Sequence, residues 1–346
     1  MNKVKIIIVA LIAVLLMALI ALAVFWLRAK KSQPQTPNDI VDVLPNLSDS
    51  AKKIFDEQIN SYCIDNSQNT FYFSTNGEPA KIQKLALDNP AGGQAETIFV
   101  SDKINYVSNL QCSRNFLLFE AQDLGSPEQI GDNVIYPSKS YYLSILSPQP
   151  RKFNDSIENK KILDQDQAVF HYLDEKNNYL GKINFATGET QKIIDTEFDF
   201  IELLPVANQL FFYSVPSEAG SFTHIYRVDE KQPAASQIDQ FDDLVSAAVV
   251  DSDHLLLVRS NTSSLYQISN QKFTDINNHT CQIAKKYNDW LYCVDQPTEK
   301  FTLAQINLSD QQTNQYQFNK QILSIGIIGD NIYIVAIDGL YLFNNN

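Results

Sequence analysis

Seven short, strongly apolar segments recur along this chain at nearly constant spacing. They begin at Phe71, Phe116, Val169, Leu210, Leu255, Trp290 and Ile332 and read FYF, FLLF, VFHY, LFFY, LLLV, WLYC and IYIV. Their first residues lie 45, 53, 41, 45, 35 and 42 positions apart, a mean of 43.5. A period of ~40–45 residues is that of four-stranded units stacked around an axis, each burying its faces against its neighbours.

Turn chemistry repeats with the segments. Two positions before them stand Asn69, Arg114, Gln167, Asn208, Asp253, Asn288 and Asp330. Five of the seven are Asn or Asp, which tolerate positive φ and bond their own backbone in tight hairpins. An apolar strand precedes each segment, from 62–64 in the first unit to 322–328 in the last. A period-2 strand follows most of them, from 82–87 to 340–343. Fourth strands are clearest at 97–100, 191–195, 237–241, 273–276 and 316–318. The expectation is an all-β fold, a seven-bladed β-propeller of four-stranded blades over 59–346. A pair of β-sandwiches is the alternative for short strands at regular spacing. Seven units at one period, with no composition break, favour the propeller.

The seventh unit has no fourth strand after 340–343, and an open ring exposes an unpaired edge. A strand from the N-terminal side of the first blade would close it, and 40–44 (IVDVL) is the candidate. Residues 48–58 then read as a short helix capped by Ser48 or Asp49.

Two stretches carry a resemblance. GDNIYIVAIDGLYLF at 329–343 resembles blades of quinoprotein-type and YVTN-type propellers. FFYSVPSEAGSFTHIYRVDE at 211–230 resembles TolB-like and dipeptidyl-peptidase-type blades. The resemblance implies the propeller fold and no particular activity. WD dipeptides and the sialidase box are absent from the sequence.

Residues 6–27 form an unbroken apolar run, flanked by Lys3 and Lys5 before and by Arg28, Lys30 and Lys31 after. A helix of that length spans roughly 33 Å, enough for the ~30 Å hydrocarbon core. The run continues through Val24, Phe25, Trp26 and Leu27 past the small-x-small site at Ala21-Leu22-Ala23. That favours one uncleaved transmembrane helix over 1–31 rather than a cleaved signal peptide. Residues 32–58, with Pro34, Pro37 and Pro45, open as a stiff stalk. A short N-terminal tail and a large remainder favour a single-pass cell-membrane protein with its C-terminal domain outside the cytoplasm. A reversed orientation, with a cytoplasmic scaffold, is the alternative.

The net charge of −13 divides unevenly. Residues 1–31 hold five Lys and Arg and no Asp or Glu, which leaves 22 basic against 40 acidic side chains, a net −18, over 32–346. This excludes nucleic acid as a partner and favours cationic partners over acidic ones. Four cysteines permit three connectivities. Cys281 and Cys293 fall on the two arms of one expected hairpin, and Cys63 and Cys112 on or just after the innermost strands of adjacent blades. The pairing 63–112 with 281–293 therefore fits the topology, and would indicate an oxidising compartment. Four buried thiols are the alternative.

Catalytic signatures are sparse. The four histidines, His171, His224, His254 and His279, lie in different blades without metal-ligand spacing. Asp164-Gln165-Asp166 and Asp251-Ser252-Asp253 read as turns rather than calcium loops. No G-x-S-x-G elbow is present, and no cofactor is implied. One loop stands out: residues 122–140 of the second blade mix charged and apolar side chains, as functional loops do. Asp123, Glu128, Asp132, Tyr136 and Lys139 are its candidate ligand-binding rim, with 216–221 of the fourth blade on the same face. The function expected is a binding or scaffold module for a protein or cell-envelope polymer. A propeller enzyme, a glycan lyase or hydrolase acting in the central channel, is the alternative.

Overall fold

A computed structural model describes residues 50–75, 79–88, 94–130, 133–206, 209–214, 223–229, 234–276, 279–295 and 301–343. The apolar run 6–27, the stalk, the strand expected at 40–44 and the 216–221 loop lie outside the described residues. Among the described residues no helix is long and apolar enough to cross a membrane.

Seven four-stranded antiparallel sheets follow one another along the chain. From inside outward, blade 1 is Ile59–Asp65, Thr70–Thr75, Ala80–Ala86 and Glu96–Ser101. The innermost strands of blades 2 to 7 are Ile104–Cys112, Ile157–Ile162, Ile201–Val206, Leu244–Val249, Ile283–Tyr287 and Ile322–Ile328. Seven core clusters, one at each junction between consecutive blades, close the ring.

The second strands explain why the repeat is visible in sequence. In blade 5, Leu255 and Leu257 pack toward blade 4, while Leu256 and Val258 pack toward blade 6. In blade 1, Phe71 and Phe73 face blade 7 and Tyr72 faces blade 2. A strand covered on both faces must be apolar at every position, so the alternation of a half-exposed strand disappears. Close approach adds its own demand: a Cβ at Gly326 of blade 7 would overlap the Cδ1 of Ile64 in blade 1.

The last blade is closed from the N-terminal side, but by Ala51–Phe55 paired to Gly339–Phe343, with Ala51 opposite Phe343 and Lys53 opposite Tyr341. The helix expected over 48–58 is therefore corrected to a strand. Ala51 joins the core between blades 6 and 7, and Ile54 and Phe55 pack into that between blades 7 and 1. Pairing an open edge and burying these side chains outweighs the weak helical preference of AKKIF. Lys53 reaches Asp338 at 3.1 Å, and Gly339 adopts φ 150 where the Phe55 carbonyl leaves no room for a side chain.

Two further differences arise at the surface of blade 2. Its fourth strand is Ser147–Lys152, exposed throughout. Pro148 and Pro150 hide it from a sequence reading, yet an outer edge tolerates the missing N–H groups. The loop at 122–140 is largely ordered: Glu128–Ile130 and Asn133–Ile135 pair as a separate hairpin, and the third strand already starts at Ser138.

Candidate functional site

Four antiparallel strands return the chain to the face from which it entered a blade. Connectors between blades and loops between second and third strands therefore share one face of the ring. The blade 2 hairpin rises from it. Its apolar side chains are open to solvent: Ile130 is 60% exposed, Val134 59%, Ile135 45% and Tyr136 40%. Beneath it runs a charged network. Asp123 accepts from the Gly125 amide at 3.0 Å and faces Lys152 at 3.8 Å. Lys139 pairs with Asp155 at 3.2 Å, and Lys152 with the same carboxylate at 3.9 Å. Burial, helped by the Asp123 charge, pushes the adjacent Tyr141 phenol up to about 12.

Of the rim residues chosen from sequence, Asp123 and Lys139 thus meet in one network through Lys152 and Asp155. Glu128 and Tyr136 lie exposed on and beside the hairpin. Asp132 lies outside the described residues.

A cleft continues inward from this network, lined by Ser138, Lys139, Asp155, Glu158 and Lys160. It shares Glu120, Asn159 and Lys160 with a second cavity of about 580 Å³ in the channel. The channel cavity lies against the innermost strands of blades 1, 2, 3, 4 and 7. Lys160 donates to the Ile157 carbonyl at 2.8 Å, and burial pulls its ammonium below the ordinary 10.5 against the pull of Glu120 and Glu158. Burial pushes Tyr62 up to about 12, with Ser324 opposing, and its hydroxyl donates to the Leu323 carbonyl at 2.6 Å. Sequence reasoning missed this cavity, because its residues come from five blades and carry no local motif.

Two disulfides are formed, one of them between strands that line this cavity. Cys63 and Cys112 are bonded across blades 1 and 2 with Cα atoms 5.8 Å apart. Cys281 is bonded to Cys293 within blade 6 at 5.3 Å. The paired carboxylates considered for calcium serve turns: Asp164 accepts from the Asp166 and Gln167 amides, and Asp251 from the Asp253 amide. Among the described residues no cluster of three or more His, Cys, Asp and Glu is arranged to hold a metal ion.

No protein-family model matches the sequence, and no curated protein does. Solved structures are similar in fold. A catalytically inactive variant of virginiamycin B lyase from Staphylococcus aureus, with quinupristin, has a TM-score of 0.56 at 13% identity, covering 84% of this chain and 96% of that one. An uncharacterized protein from Listeria monocytogenes EGD-e gives 0.54 at 11%, covering 85% and 96%. BamB from Moraxella catarrhalis gives 0.50 at 12%, covering 83% of each chain. At such identities the likeness is one of fold, and the seven four-stranded sheets make this chain a seven-bladed β-propeller.

Proposed function

We propose that the protein is a membrane-anchored, extracytoplasmic binding and scaffold module, and that it engages a protein or cell-envelope polymer through the rim of blade 2. The hairpin carries the reading. Single exposed apolar residues are ordinary, but three on one two-stranded ribbon, with Tyr136 beside it, are what a contact surface presents. The basic-flanked run at 6–27 supports attachment to a membrane, and the two disulfides support an oxidising side. A net −18 over 32–346 favours a cationic partner and repels an anionic bilayer, which gives the stalk a use.

Copurification tests the proposal. Full-length protein extracted from its own membranes should retain a partner that Ile130→Ser/Val134→Ser loses while keeping its melting temperature. Undiminished recovery of the same partner by that variant would overturn the assignment of the surface.

A further inference from the structure

Most of the innermost strands share a defect in their pairing. In blades 1, 5 and 7 the register slips between Ile59 and Ser61, between Leu244 and Ser246, and between Ile322 and Ser324, leaving Asn60, Val245 and Leu323 unpaired in the ladder. Blade 3 slips between Glu158 and Lys161, and blade 2 slips twice between Asn105 and Gln111. Blades 4 and 6 keep their register. All seven strands run in one direction; the bulges of blades 1, 5 and 7 fall at the start of the strand, and those of blades 2 and 3 lie farther along it. A bulge re-aims a side chain and recurs beside functional sites.

The backbone there is strained as well. Seven described non-glycine residues have positive φ. Four of them, Asn69, Gln271, Asn288 and Gln311, sit in turns, where such a conformation is expected. The other three are Tyr106 (φ 52), Asn109 (φ 49) and Asn159 (φ 41), all inside innermost strands. Left-handed backbone outside a turn persists only where the surroundings hold it.

Asn60, Asn109 and Asn159 line the 580 Å³ cavity together. Each amide nitrogen is committed to the protein: Asn60 to the Val107 carbonyl, Asn109 to Glu120 at 2.8 Å and Asn159 to the Ile201 carbonyl. Those carbonyls and the carboxylate only accept, so the orientation of each amide is chemically forced. Three amide oxygens remain as acceptors, fixed in advance. Glu120 and Glu202 in the same lining are offset by Lys160 and Lys161, so the site favours neither an anion nor a cation. Its lining is too polar for an apolar ligand, whereas a neutral molecule rich in hydroxyl donors matches it.

We infer that this channel mouth binds a neutral, hydroxyl-rich ligand, one or two sugar residues in size. The site lies inward of the blade 2 rim, and its lining includes none of the exposed hairpin residues. Fixed amides lose no rotamer freedom on binding, which gives the strained bulges a purpose.

The test uses full-length protein in a detergent without a sugar headgroup. Calorimetric titrations would cover neutral disaccharides of the gluco, galacto, manno and N-acetyl series, with inorganic phosphate and spermidine as charged probes. At least one disaccharide should bind saturably. Asn109→Gly/Asn159→Gly removes two acceptors and relieves both φ angles, so the variant should fold normally. It should bind at least about fivefold more weakly, the least that two lost neutral hydrogen bonds are worth. Ile130→Ser/Val134→Ser should bind the disaccharide unchanged, which separates this site from the rim. Binding of phosphate or spermidine in place of every disaccharide, or equal disaccharide affinity in the double glycine variant, would overturn the inference.

Discussion

Gln111 of blade 2 donates its amide to the carbonyl of Lys160 in blade 3 at 2.9 Å. The oxygen of the same amide accepts from the Ile162 amide at 3.0 Å, so one side chain stands in for a stretch of strand pairing between two blades. Replacing it with an apolar side chain strands two backbone groups. Gln111→Leu should lower unfolding stability by about 1–3 kcal/mol in a denaturant titration. Gln111→Glu keeps the acceptor but sets a carboxylate oxygen against the Lys160 carbonyl, so it should lower stability as well.

The junction of blades 7 and 1 depends on a missing Cβ. Gly326→Ala should destabilise by about 1–3 kcal/mol through overpacking against Ile64. Ile64→Val removes the overlapping Cδ1, so the double variant should be more stable than the sum of the single costs allows. Additive losses in thermal unfolding would show that these two residues do not set the approach of the blades.

The two disulfides should differ in worth. Bridging 49 residues, Cys63–Cys112 restricts the unfolded chain more than Cys281–Cys293, which spans 12. The chain-entropy relation gives about 4 kcal/mol for the first and about 3 kcal/mol for the second. Paired serine substitutions, compared by chemical denaturation, should rank in that order. Intact mass of the unfolded, unreduced protein should show no alkylated thiol.

His279 couples stability to pH. It is buried, and burial lowers its pKa below the ordinary 6.5, with Asp295 at 3.9 Å opposing. A depressed folded pKa means that the unfolded chain binds the proton more readily. Its contribution is fully present above pH 6.5 and is lost as pH falls toward the folded value. His279→Gln should therefore flatten the acid side of the stability profile just below that pH, read as melting temperature against pH. A slope equal to that of the unsubstituted protein would assign it to other groups.

The sequence exposes the parts of this fold whose environment is uniform along a strand. Leu255 to Val258 has blades on both sides, so every position is apolar and the repeat can be counted. The same logic fails at the edges. Ser147–Lys152 and Ala51–Phe55 are held by pairing to a neighbour already in place, and neither carries an alternating apolar pattern. The channel cavity is less visible still. Asn60, Asn109 and Asn159 belong to no local motif, and the bulged register brings them to one cavity. At the rim, Asp123 and Lys139 stand out because they flank an insertion. Their partners Lys152 and Asp155 belong to an exposed strand and the connector after it, which carry no such mark.

The exposed hairpin of blade 2 is proposed as a contact surface outside the cytoplasm. Site-specific photo-crosslinking of the full-length protein in its native membrane tests it directly. One variant carries the crosslinker at Val134, and the other at Ser309, an exposed turn on the opposite face of the ring. A discrete adduct with an extracytoplasmic component is expected at 134 and none at 309. Equal labelling at both positions, or adducts with cytoplasmic proteins, would contradict it.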